Sequence, residues 1–191
     1  MTGDAAVRTN RPLAGGGAYL AVDNIDPKGG GLTRPFHNYG LIDPMRRPYT
    51  VSLNLRIDSP EVAQFQVGIR AHDGVNTSSD ALAYAKTTDK YWTIFDGDGT
   101  GATATVHTQL PVIAGAVYHV EFWIDPESMT YTATIDNLND NAPAYVSPLL
   151  RTRNPNAVPE PYLFIGKQYG GAVQAFSVDA VRVQAPDSDN Q

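Results

Sequence analysis

Polar side chains able to do chemistry recur at every second position in several stretches of the chain. Asn54 and Arg56, Gln66 and Arg70 with His72, and His119, Glu121 and Trp123 alternate with apolar residues, and Trp92 falls in a similar stretch. Aromatic rings stack on the C–H faces of sugars. Arg, Asn, Gln and Glu make directional hydrogen bonds to hydroxyls, and the Arg fork matches a uronate carboxylate. If Arg56, Gln66, Arg70, His72, Trp92, His119, Glu121 and Trp123 share one concave sheet, they form a glycan-binding groove. The plainer reading divides them between two surfaces, because strands of different sheets turn their polar faces to opposite sides. On that reading Trp92 and Trp123 cap the core, and exposed Arg in strands guards against edge pairing.

Other chemistries find less support. A glycosidase needs two carboxyls about 5–10 Å apart across the scissile bond. Glu121 and Asp125 share a strand face but lie roughly 13 Å apart along it, and Glu127 follows Pro126 into a turn. Gly-x-Ser-x-Gly is absent, and the runs Gly15-Gly16-Gly17 and Gly29-Gly30-Gly31 lack the Lys-Ser/Thr of a phosphate loop. His37, His72, His107 and His119 stand on separate elements without zinc spacing. Calcium suits oxygen-rich segments better, and acids and amides cluster at 23–26, 96–98 and 136–141. Each of these acids is also read as the start of an Asx-turn. An EF-hand loop begun at Asp96 would place His107 where a Glu belongs.

Alternation with period two marks strands with one buried face. It is unbroken at 51–58, 65–72, 118–125 and 131–136. Further strands are expected at 18–23, 91–96, 103–108, 163–168 and 175–184. Asp96-Gly97-Asp98-Gly99, His72-Asp73-Gly74 and Asp125-Pro126-Glu127-Ser128 supply the turns. The only helical candidate is the short segment 79–86. Residues 154–161, with their prolines, read as a surface loop, and 185–191 as a frayed tail. The expectation is one all-β domain over 1–191, a two-sheet antiparallel sandwich with an ordered core at about 15–184.

Composition agrees. The chain has 191 residues, 42% hydrophobic and 18% charged, enough apolar material for a sizeable core. A net charge of −6 without any Lys/Arg cluster argues against nucleic acid and anionic membranes as partners. The absence of Cys excludes disulfides and thiolate chemistry. No run reaches the roughly 18 apolar residues of a membrane span. Met1-Thr2-Gly3-Asp4 does not read as a signal peptide.

A resemblance narrows the fold. The string Tyr91-Trp92-Thr93-Ile94-Phe95-Asp96-Gly97-Asp98-Gly99, then 115–125, then 131–136, resembles the middle of laminin-G-like jelly rolls of the concanavalin A-like superfamily. Leu163-Phe164-Ile165-Gly166-Lys167-Gln168 followed by Phe176-Ser177-Val178-Asp179-Ala180-Val181-Arg182-Val183 is similar to their closing strands, and Gly17-Ala18-Tyr19-Leu20-Ala21-Val22 to their first. The resemblance covers about 15–184. It implies two curved sheets, one concave face, and often a structural calcium bridging first and last strands, here Asp23 or Asp26 with Asp179. Lyases of that superfamily use Arg, Gln, His and Tyr on the concave sheet. Gln66, Arg70, His72 and His119 supply the residue types, and Tyr162 and Tyr169 flank a strand like their final motif. The Gln-x-His triplet is missing, since Gln66 is followed by Val67 and Gly68. The spacing of Glu121, Asp125 and Glu127 also departs from the Glu-x-Asp-x-x-Glu of laminarinase-type members.

The expected function is therefore that of a carbohydrate-binding module or lectin-like domain holding a polysaccharide or oligosaccharide. The alternatives are a lyase acting on a uronate polymer and a laminin-G-like protein-interaction module. The chain is expected to be secreted or displayed at the cell surface, as part of a larger multidomain protein.

Overall fold

The computed structural model describes residues 3–35, 47–70, 81–98, 102–153, 162–168 and 170–185. Their strands, in chain order, are β1 (Asp4–Arg8), β2 (Tyr19–Asp23), β3 (Gly30–Pro35), β4 (Tyr49–Ile57), β5 (Phe65–Arg70), β6 (Ala81–Thr88), β7 (Tyr91–Gly97), β8 (Thr103–Pro111), β9 (Val117–Asp125), β10 (Thr130–Asn137), β11 (Tyr145–Val146), β12 (Leu150–Arg151), β13 (Tyr162–Lys167) and β14 (Phe176–Gln184). No helix occurs among the described residues. An eight-stranded sheet runs β1-β2-β14-β4-β9-β10-β11, with β12 also on β10, and a six-stranded sheet runs β3-β13-β5-β6-β7-β8. All pairs are antiparallel. This is the expected all-β jelly-roll sandwich.

The alternation read from the sequence is what buries the core. Tyr49, Val51, Leu53, Leu55 and Ile57 of β4 and Tyr118, Val120, Phe122 and Ile124 of β9 point inward from the eight-stranded sheet. Phe65, Val67 and Ile69 of β5 and Leu163 and Ile165 of β13 meet them from the six-stranded sheet. Side chains of this size each contribute about 1.5–3 kcal/mol when fully buried. Turn chemistry follows the expected places: Asp125 Oδ1 accepts the amides of Glu127 (3.0 Å) and Ser128 (3.3 Å), closing the β9–β10 turn.

Three elements depart from the sequence reading. Segment 79–86, the helical candidate, contributes to strand β6, because Ala83 and Ala85 reach the core while Tyr84 and Lys86 face out. Pairing with β5 and β7 overrides the helix preference of its alanines. The glycines at 29–31, read as a flexible turn, open strand β3. A Cβ on Gly31 would stand 2.1 Å from the Ile165 carbonyl oxygen, so only glycine lets β3 and β13 meet there. Strand β1 begins at Asp4, ahead of the expected start near residue 15, and pairs with β2.

Candidate functional site

Strand β5 runs through the middle of the six-stranded sheet and turns Gln66, Gly68 and Arg70 away from the core. Register aligns these with neighbours on both sides. Gly68 stands between Phe164 of β13 and Tyr84 of β6, and Tyr84 stacks on Phe95 of β7, ring centroids 4.3 Å apart and 11° from parallel. Gln66 stands between Gly166 of β13 and Lys86 of β6, and Lys86 is opposite Thr93 of β7. The outer face therefore carries an aromatic row beside a polar row.

Glycine at position 68 makes the geometry possible. With no side chain between Gln66 and Arg70, the long Arg70 side chain can reach back along its own strand. Its Nη2 donates to Gln66 Oε1 at 3.1 Å, and its guanidinium carbon lies 3.6 Å from the centroid of Phe164. This is a stacked cation–π contact in a largely desolvated place. Gln66, Gly68, Arg70, Ala81, Tyr84 and Phe164 line a small hollow. Since a guanidinium only donates, the Arg70 bond fixes the Gln66 amide with Oε1 as acceptor. Among the described residues Gln66 Nε2 is then left buried without a hydrogen-bond partner. Burial raises the pKa of the Tyr84 hydroxyl, partly offset by Arg153, whose Nη1 donates to it at 3.4 Å.

The other expected binding residues do not join this face. Arg56, His119, Glu121 and Trp123 lie on β4 and β9, on the outer side of the opposite sheet. The expectation of one shared groove is thereby corrected: the two sheets back onto one core, so their outward residues face opposite directions. Arg56 is also no surface group. It is 4% exposed, with Nε on Asp58 (2.6 Å), Nη1 on the Arg11 carbonyl (2.9 Å), and its guanidinium over the Tyr19 ring. Leu13, Tyr19, Ala21 and Val117 form a small second apolar cluster beside it. Arg56 is thus a structural clasp for the N-terminal segment. Trp92 belongs to the core, 0% exposed and edge-on to Tyr118 at 5.6 Å, because it alternates to the same side as Ile94. His72 lies outside the described residues, as do His37 and Tyr169.

On the eight-stranded sheet, His119 Nδ1 donates to Asn54 Oδ1 (3.0 Å), and Asn54 in turn bonds Asp179. Burial raises the Asp179 pKa, and Asn54 and Arg56 pull it back. Glu121 faces Ser52 and Thr134 across the sheet, and Trp123 faces Thr50 and Thr132. These are cross-strand pairs of an ordinary polar sheet surface.

The calcium ligands expected from the resemblance do not come together. Asp23 pairs with Arg8, and Asp26 Oδ1 accepts the Lys28 amide at 2.7 Å. Val22 lies opposite Phe176, so Asp23 and Asp179 are about four residues apart along the strands, roughly 13 Å. Among the described residues no three His, Asp or Glu side chains are grouped to hold a metal. Asp23, Asp26 and Asp179 therefore do not gather at one site.

Sequence reading missed Tyr84, Lys86, Phe95 and Phe164. Phe95 and Phe164 are flanked by the apolar residues Ile94, Leu163 and Ile165, so the sequence alone does not mark them as outward. Tyr84 and Lys86 were hidden by the helical reading of their segment.

No family profile matches the sequence, and no curated protein does. Solved structures do. A sialidase is similar over 96% of this chain and 17% of its own, with 15% identity and a TM-score of 0.59. A family 7 alginate lyase in complex with product is similar over 94% and 83%, with 12% identity and a TM-score of 0.56. A lectin complexed with galactose is similar over 93% and 90%, with 10% identity and a TM-score of 0.53. The chain thus spans less than a fifth of the sialidase and most of the lectin and lyase. At these identities the likeness is one of fold. Two antiparallel sheets stacked on one core, in the strand order described, give this chain the jelly-roll sandwich fold that these structures share.

Proposed function

We propose that the outer face of the six-stranded sheet binds a carbohydrate chain and does not cleave it. The observation that carries this reading is the aromatic row Phe164–Tyr84–Phe95 beside a polar row in which Gln66 Nε2 is buried and unpaired. Apolar sugar faces stack on rings, and a sugar hydroxyl satisfies an unpaired amide donor. Lectin and lyase neighbours of the same fold are consistent with it.

The lyase alternative has one observation in its favour: β13 and β5 place Tyr162 opposite Arg70 on the outer face. Against it stands Gly68, on the same face as Gln66, where the lyase triplet has His. A Cβ there would lie 2.4 Å from both the Ala83 carbonyl oxygen and Tyr84 Cβ, so this strand has no room for an acid–base side chain at that point. Binding without chemistry is the simpler use of the face. On this reading the chain serves as one module of a larger secreted or cell-surface protein.

A glycan array with the whole chain tests the reading. Selective retention of a polysaccharide or oligosaccharide is expected. Absence of binding across the array at high micromolar protein would contradict it.

A further inference from the structure

Charge is distributed unevenly between the two outer faces. The chain carries a net charge of −6. Asp4, Asp23, Asp179, Glu121 and Asp136 all stand on the outward side of the eight-stranded sheet. The six strands of the other sheet hold a single carboxylate, Asp96. Asp96 falls on the side of Ile94 rather than of Thr93 and Phe95, and its Oδ1 accepts the Arg151 amide at 2.9 Å. No acid of these six strands therefore projects from the outer face of the sheet.

Lys86 sits in the middle of that face. Register puts it directly opposite Gln66 on one side and Thr93 on the other. The Thr93 hydroxyl is already committed to the Lys86 carbonyl at 3.0 Å. Among the described residues no ion pair or hydrogen bond involves the Lys86 ammonium, although the side chain is half-buried, and burial lowers its pKa. A half-buried ammonium without a counter-charge is a standing electrostatic cost. Beside it lies Gln66 Nε2, buried and unpaired. Directly opposed residues on adjacent strands have Cβ atoms about 5 Å apart. Two unmet donors, one of them cationic, thus share one small area next to the aromatic row.

We infer that this face selects an acidic sugar, with the carboxylate of a uronate residue received by Lys86 Nζ and Gln66 Nε2 while the ring lies along Tyr84 and Phe164. The inference rests on the carbohydrate reading above and adds the substrate class to it. An anion there supplies the charge that the surrounding strands withhold. A charge-assisted hydrogen bond is also about twice as strong as a neutral one.

The test is affinity electrophoresis of the whole chain through gels containing polygalacturonate, its carboxyl-reduced neutral counterpart, or a sulfated polysaccharide, at fixed ionic strength. A protein of net charge −6 is repelled by polyanions in general, so retardation by polygalacturonate reports a specific site. The expected result is retention by polygalacturonate at least about tenfold stronger than by the reduced polymer. Lys86→Gln is expected to lose about tenfold of that affinity and Lys86→Arg to keep most of it, with circular dichroism unchanged in both. Equal retention by the acidic and reduced polymers would overturn the acidic selectivity and leave the carbohydrate reading standing. Retention by the sulfated polymer alone would overturn the carboxylate assignment. No retention by any of the three, together with an empty glycan array, would overturn both.

Discussion

The guanidinium of Arg70 lies 3.6 Å from the centre of the Phe164 ring, two strands brought into contact across a residue with no side chain. That relationship organises the face. Gly68 clears the path, Phe164 and Tyr84 flank it, and Gln66 accepts the Arg70 hydrogen bond at the far end. The outcome is a partly aromatic face with a small hollow on the six-stranded sheet.

Gly68→Ala tests the clearance. The added methyl group would stand 2.4 Å from the Ala83 carbonyl oxygen and from Tyr84 Cβ, so β5 and β6 must separate. Destabilisation of about 2–3 kcal/mol is expected in urea unfolding, with loss of glycan affinity. A variant as stable as the parent would show that the two strands tolerate more room than their register implies.

Arg56→Ala should act on stability and not on binding. Removing the guanidinium takes the Nε bond from Asp58, which keeps the Ser177 hydroxyl and the more distant Arg11, frees the Arg11 carbonyl and uncovers Tyr19. A loss of about 3 kcal/mol is expected, in the range for breaking a buried pair. Proteolysis near the N-terminal segment is expected to quicken, while the glycan affinity of the folded fraction stays the same.

The sandwich was legible because Val51–Ile57, Phe65–Arg70 and Tyr118–Asp125 alternate without a break, and period two leaves few other ways to bury their apolar faces. The site was legible only in part. Alternation separates inward from outward residues on one strand, yet it does not say which sheet that strand joins. Gln66 and Arg70 were therefore grouped with Glu121 and Trp123, which look out from the other side. Parity of the strand at 91–97 puts Trp92 with Ile94 in the core, but an indole is equally at home in a binding face, and composition does not distinguish the two. Phe164 and Phe95 escaped notice for the converse reason: an outward aromatic in a strand looks like core until its register partner is known.

Alkaline pH should weaken the fold. Burial raises the hydroxyl pKa of Tyr49 and Tyr131 well above the ordinary value of about 10, and raises Tyr84 and Tyr118 less. The folded state then holds protons that the unfolded chain releases above pH of about 10, so stability is intact below that value and falls as pH rises beyond it. Urea midpoints at pH 8 and pH 11 are expected to differ, the second being lower. Equal midpoints would contradict the burial of these hydroxyls.

Paired substitutions separate the two faces. Tyr84→Leu removes a stacked ring from the six-stranded sheet and is expected to weaken glycan binding about tenfold, close to the worth of an aromatic contact. Trp123→Ala removes the largest outward ring of the eight-stranded sheet and is expected to leave binding unchanged. Isothermal titration of both variants with the oligosaccharide selected by the array gives the comparison.

The most direct measurement of the central claim is a map of amide chemical shifts during titration with that oligosaccharide. Shifts confined to Gln66–Arg70 of β5, Tyr84–Lys86 of β6 and Phe164–Gly166 of β13 are the expected result. Shifts gathered instead at Asn54 of β4 and at His119–Trp123 of β9 would place the sugar on the opposite sheet and contradict the account.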